Sequence, residues 1–190
     1  MNNLKQFGYK FVLAKGFTKG TNNEKLCAIT FDDGYKSVKQ INDFMLKTKT
    51  PYSIFITSGF IEKQMDSFLL EWEIKELAST GSVEIGSHSV THCDLKSLEK
   101  SDLNNELQQS KEYLSRISGQ EIESFAYPFG SFDLRIINEV KKNYSYAYSV
   151  YSSVISDFRY SIPRLDLNRT NIKHFLVLLK DVWKYRSAVY

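Results

Sequence analysis

Proline, cysteine and histidine are all scarce: the 190 residues hold three, two and three of them. So few prolines, with only nine glycines, exclude a proline-rich linker or a collagen-like chain. Two cysteines, Cys27 and Cys93, allow at most one bridge and cannot build a disulfide scaffold. Cys27 lies in an apolar run and reads as a small buried filler, and Cys93, next to a histidine, as a structural residue or a spare ligand. No apolar run approaches the ~18 residues of a membrane span. The opening, Met1 to Gly8, lacks the apolar stretch of a secretory signal. The chain as it stands is therefore expected in the cytoplasm, or secreted or at the cell surface if a leader has been trimmed away. Charge of one sign is also missing. Twenty-five Lys and Arg against 22 Asp and Glu leave a net +3 with no basic cluster, which gives a nucleic acid no footprint.

What is present suits one folded domain over residues 1–190, with 42% hydrophobic and 14% aromatic residues. Residues 26–31 and Tyr52–Ile56 read as buried strands, and 83–85 as a short third. Val38, Ile41 and Met45 recur at helical spacing, Glu71–Ser79 reads as a helix with Gly81 placed to stop it, and Leu103, Leu107, Leu114 and Ile117 stripe a long helix ending near Gly119. Phe125-Ala126 closes a strand. Leu134, Ile137 and Val140 then mark a helix, and 146–150 returns as a strand. Alternating strands and helices predict a parallel α/β sheet or barrel, in which sites gather at the carboxyl ends of the strands.

Three polar stretches follow such strands: Thr30-Phe31-Asp32-Asp33-Gly34-Tyr35, His88-Ser89-Val90-Thr91-His92 and Ala126-Tyr127-Pro128-Phe129-Gly130. Residues i and i+4 meet on one side of a helical turn, so His88 and His92 converge on one ion. One of the two adjacent aspartates joins them, and the other stands beside the ion as a base. Two imidazoles and one carboxylate leave coordination positions open for water and substrate, the character of a catalytic centre. A bare Asp-Asp-Gly is commonly only a surface turn, and it is the placement of all three stretches after strands that favours a metal-assisted hydrolase.

The chain resembles the polysaccharide deacetylase family, the NodB-homology or carbohydrate esterase 4 group, from residue 26 through 164. Thr-Phe-Asp-Asp-Gly-Tyr and His-Ser-x-x-His match its first two motifs, with Glu84-Ile85-Gly86-Ser87 leading into the second. Phe125-Ala126-Tyr127-Pro128-Phe129-Gly130 resembles the third in the style of the poly-N-acetylglucosamine deacetylase branch, and Trp72-Glu73 also falls where that branch has them. The resemblance implies a single-domain distorted (β/α) barrel and a substrate that is an acetylated sugar or polysaccharide. It implies Asp32 as general base and Asp33, His88 and His92 as ligands of one divalent metal, zinc foremost, with cobalt or nickel as alternatives. The Phe129 N–H would help hold the oxyanion. Tyr35, Trp72, Tyr127 and Phe132 offer rings to a sugar, with Pro128 and Gly130 completing the substrate-binding stretch.

The chain departs from the family twice. Ala126 stands where many members carry an arginine that opens the third motif, and the late Leu-x-His pair that supplies their general acid is absent. The remaining histidine, His174, projects off the apolar stripe Ile172, Phe175, Leu176, Leu179, Val182 and Trp183, so it is expected to face solvent or a partner. Arg164, in the strand-like segment Ile162-Pro163-Arg164-Leu165-Asp166, is expected to replace the missing arginine by pairing with Asp32. Asp166, the metal-bound water or Asp32 itself could protonate the leaving amine. The alternatives are a catalytically weakened carbohydrate-binding relative and a non-haem iron triad, which would leave Asp32 without employment. The sugar, the acyl group and the oligomeric state are not legible in the sequence.

Overall fold

A computed structural model describes residues 2–17, 24–150 and 158–166. Helix α1 (Asn2–Gln6), strand β1 (Lys10–Val12) and helix α2 (Ala14–Phe17) precede β2 (Leu26–Ala28) and β3 (Thr30–Phe31). Then follow α3 (Ser37–Lys47), β4 (Tyr52–Ile56), α4 (Ser58–Glu62), α5 (Glu71–Ser79), β5 (Val83–Ser87), α6 (Lys100–Ser118), β6 (Ser124–Ala126), α7 (Leu134–Asn143), β7 (Tyr146–Ser149) and β8 (Ile162–Pro163). Strands β3 to β8 form one six-stranded sheet in chain order, every pair parallel, while β1 and β2 pair separately. The expected single strand over 26–31 is thus two: at Ile29 the chain leaves β1 as partner and takes up β4. The expected 172–183 helix and His174 lie outside the described residues.

The sheet is curled. Five inter-strand gaps of ~4.8 Å would put β3 and β8 about 24 Å apart if the sheet were flat, beyond the reach of any side chain. Yet Arg164, directly after β8, donates to Thr30 Oγ1 on β3 at 3.2 Å. This is the distorted barrel that the resemblance implied.

Strand alternation then divides the core in two. Tyr52, Ile54 and Ile56 of β4, Val83 and Ile85 of β5, and Phe125 of β6 face outward and pack with the helices, among them Leu103, Leu107 and Leu114 of α6. Phe55, Ala126, Tyr148 and Ile162 fill the barrel's interior with Ala14 of α2. Lower inside, Glu84 is buried but fully used: Ser53 Oγ, Ser124 Oγ and the Lys15 N–H donate to its carboxylate, and Ser53 Oγ accepts from the Ala14 N–H. Helix α2 is thereby tied to the sheet by a buried carboxylate whose acceptors are satisfied.

Gly86 lies in that interior where there is no room for a side chain. A Cβ there would meet Phe55 Cδ1 at 2.5 Å and the Ser124 carbonyl oxygen at 3.1 Å. Gly86→Ala should therefore destabilise the fold by about 1–3 kcal/mol, the usual cost of overpacking, read as a lower urea midpoint at unchanged slope. Cys27 and Cys93 are both free thiols. Burial pushes the Cys27 thiol up to about 11, so it should resist alkylation at pH 8 until the chain is unfolded. Among the described residues no helix is long and apolar enough to cross a membrane.

Candidate metal centre

The three polar stretches emerge at the carboxyl ends of β3, β5 and β6 and converge. Asp33, His88 and His92 each offer a ligand atom, and all three atoms lie within 4.8 Å of one another. His92 Nε2 stands 3.4 Å and His88 Nε2 3.7 Å from Asp33 Oδ1. Those spacings are those of donors around a common centre, since metal–ligand distances of ~2.0–2.2 Å put neighbouring ligand atoms somewhat over 3 Å apart. Asp33 Oδ1 is buried and has no hydrogen-bond partner. A buried carboxylate oxygen left unpaired is costly unless something positive meets it. The residues present therefore fit a divalent ion.

The tautomer of His88 is set for the same purpose. Its Nδ1 lies 2.7 Å from the Ala126 carbonyl oxygen, to which it must donate, leaving the lone pair on Nε2 facing Asp33. Burial lowers the His88 pKa more than the nearby Asp32 charge and the Ala126 bond raise it, so the ring is neutral, as a ligand must be. Ala126 thus contributes its backbone where sequence reasoning noticed only a lost arginine.

The geometry of the histidine loop differs from expectation. His88 and His92 do not share a helical turn. Residues 88–94 form an irregular loop in which Ser89 (φ 66°) and His92 (φ 58°) are both left-handed. The reversal at Ser89, closed by its Oγ accepting from the His92 N–H at 3.0 Å, brings the rings to 4.7 Å between centroids. The loop docks on the start of α4, where the Ser58 and Gly59 N–H groups donate to Ser89 and Val90. Gly59 is required there because a Cβ would come within 2.6 Å of the Val90 carbonyl oxygen. Asp33 (φ 69°) and Phe129 (φ 57°) are left-handed as well. Among the described residues, four of the six non-glycine positions with positive φ lie in this site. Strain of this kind persists where surrounding structure enforces it, and it gathers at functional sites.

Asp32 is held quite differently from its neighbour. The Arg164 guanidinium donates from Nη1 to Oδ1 at 2.6 Å and from Nη2 to Oδ2 at 2.7 Å, a bidentate pair between the ends of β8 and β3. Arg164 also lies over the Phe55 ring at 5.2 Å, so the inner core forms a floor beneath it. Burial pushes the Asp32 carboxyl up, but the Arg164 hydrogen bonds and charge, followed by His88 and His92, outweigh burial and hold it below the usual carboxylate range. It is ionised at neutral pH and lies 3.9 Å from His88 Nε2.

The remaining site residues divide. Phe129 is exposed and packs its ring edge-on against His92 at 4.7 Å. Tyr35 is 44% exposed and stacks on Phe68. Trp72 is 59% exposed in the first turn of α5, its ring under the Lys39 ammonium at 4.7 Å, so it is held by α3 and not by the metal-site residues. Tyr127 differs from the expectation that its ring faces a sugar. It is fully buried, stacked on Phe132, with its hydroxyl donating to the Tyr160 carbonyl. A side chain at that position points to the helices by strand alternation, and neither Tyr127 nor Phe132 is available to a sugar. Pro128 and Gly130 are buried too, and a Cβ on Gly130 would strike Val150, so they shape the loop and do not offer side-chain contacts. Tyr127→Phe should lower stability by about 0.5–1.5 kcal/mol, for the lost hydrogen bond, and leave KM for any sugar unchanged.

Comparison with known proteins fits this geometry. The family model for polysaccharide deacetylase matches residues 19–148. The peptidoglycan-N-acetylmuramic acid deacetylase PdaA of Bacillus subtilis is 27% identical over 66% of this chain and 46% of its own length. The poly-beta-1,6-N-acetyl-D-glucosamine N-deacetylase of Staphylococcus aureus is 24% identical over 91% of this chain and 66% of its own. BC0361, a polysaccharide deacetylase from Bacillus cereus, superposes with a TM-score of 0.83 at 25% identity, covering 94% of this chain and 59% of that one. The chain spans about half the length of the curated relatives it first matches, 46% and 42% of them.

Proposed function

Because the chain belongs to the polysaccharide deacetylase family, we propose that it is a metal-dependent hydrolase that removes an acetyl or similar acyl group from an N-acetylated sugar, polysaccharide or sugar-linked intermediate. The observation that carries this reading is the unequal treatment of two adjacent aspartates. Asp32 is held by a bidentate pair with Arg164 that leaves it further acceptor capacity, whereas Asp33 offers an unpartnered buried oxygen to two imidazoles. A divalent ion held by Asp33, His88 and His92, zinc foremost or else cobalt or nickel, would polarise the acyl carbonyl and acidify a water.

The chain's own groups do the rest. Asp32 takes the proton of the attacking water, and Arg164 fixes its orientation and keeps it ionised. His88 is locked in the ligating tautomer by the Ala126 carbonyl. The backbone N–H of Phe129, beside His92, meets the oxygen of the acyl group as negative charge develops on it. The C–N bond then breaks. Asp32 returns its proton to the leaving amine, so the products are a free amino sugar and a carboxylate, and one residue serves as base and acid in turn. Tyr35 and Trp72 are the exposed rings available to the faces of sugar units.

A screen of acetylated sugars, free, nucleotide-linked and polymeric, with zinc, cobalt or nickel added, tests the proposal. Acetate should appear with at least one class and only when metal is present. Binding of a sugar polymer without acetate release under any metal would instead favour the catalytically weakened carbohydrate-binding relative.

A further inference from the structure

The two imidazoles sit at the ends of an irregular loop whose backbone is left-handed at Ser89 and His92. Such a loop keeps its shape only where neighbouring groups hold it. On one side the start of α4 takes the carbonyl oxygens of Ser89 and Val90. On the other side a single side chain takes the donors. Glu106 of α6 accepts from the Val90 N–H at 2.8 Å and the Thr91 N–H at 2.9 Å on Oε2, and from Thr91 Oγ1 at 2.8 Å on Oε1. All three donors lie between the two histidines in sequence.

We propose that Glu106 is a positioning residue for the metal centre: its carboxylate clamps the 90–91 peptide so that His88 and His92 are presented to one ion. The inference rests on the metal-centre reading above. A charged acceptor suits the task, because hydrogen bonds to an ionised carboxylate are shorter and about twice as strong as neutral ones. Helix α6 is a rigid support for it, nineteen residues long, with Leu103, Leu107 and Leu114 buried in the core. Without the clamp, Val90 and Thr91 can turn to water. The left-handed residues on either side then relax, and the ion must bear the cost of reordering the loop on binding. Glu106 is not one of the three residues whose ligand atoms converge, so its removal acts on the ion through the loop that carries His88 and His92.

The test is a cobalt titration of the metal-stripped full chain, followed by visible absorption and by competition with a chromophoric chelator, with apo-protein thermal stability measured alongside. Wild type should bind one cobalt per chain. Glu106→Ala should bind the same equivalent about 10- to 100-fold more weakly, the usual loss for an outer-shell partner. Thr91→Val, which removes only the hydroxyl donor, should show a smaller loss of about twofold or more. Glu106→Gln, with one acceptor oxygen left, should fall between wild type and Glu106→Ala. A lower melting temperature with unchanged cobalt affinity in Glu106→Ala would reduce the residue to an ordinary structural contact and overturn the proposal. Should Glu106→Ala fail to fold, an unchanged affinity in Thr91→Val overturns it equally. If wild type bound no cobalt, the metal-centre reading itself would fall.

Discussion

Asp32→Asn should lower turnover by about 100- to 10,000-fold, the range that a positioned proton acceptor supplies, while one metal still binds per chain. The substitution is nearly isosteric, and the amide oxygen can still accept from Arg164, so the Arg164–Asp32 pair loses one of its two hydrogen bonds and not both, and the Arg164–Thr30 bond is untouched. What disappears is basicity. Arg164→Ala should produce a smaller defect of the same kind, because the carboxylate remains but loses the partner that orients it and favours its charge. Steady-state acetate release together with metal content separates these effects. Loss of metal in Asp32→Asn would mean that Asp32 is a ligand and not the base.

Asp33→Ala should fail in the opposite way, through the metal. It removes the only carboxylate of the three-residue group and leaves two imidazoles. Affinity should fall by more than the ~10–100-fold typical of losing an outer-shell partner, since a direct ligand is lost. Thermal stability without metal should change little, because loss of the unpaired Oδ1 relieves a cost while alanine suits the left-handed backbone at Asp33 less well than aspartate. His88→Ala would be a poorer probe. Its ring is buried and bonded to Ala126, so folding and ligation would change together.

How far the sequence foretold this structure depended on where chemistry and periodicity spoke together. Glu71–Ser79 was legible to the residue because an apolar stripe and a glycine stop coincide there. The long helix ended as expected at Gly119, which is left-handed at φ 70°. Ala126 implies that another arginine supports Asp32, and Arg164 does meet it. The histidine loop is not legible in the sequence because i, i+4 spacing also fits a loop when Ser89 and His92 turn left-handed, and nothing in Ser or His announces that conformation. The burial of Tyr127 is not legible either, because a motif shows which residues matter without showing which face of the strand each one takes. Glu106 was invisible: it lies 15 residues beyond Thr91, and only the docking of α6 on the loop brings them together.

The most direct measurement titrates metal-stripped protein with zinc while following acetate release from the acetylated sugar that the substrate screen identifies. Release should be absent without zinc, rise until one equivalent per chain is bound, and vanish again on chelation. Asp32→Asn should take up the same equivalent and stay near the baseline at every zinc concentration. Acetate release by the stripped wild-type protein, or wild-type rates from zinc-loaded Asp32→Asn, would contradict the division of labour between Asp32 and Asp33.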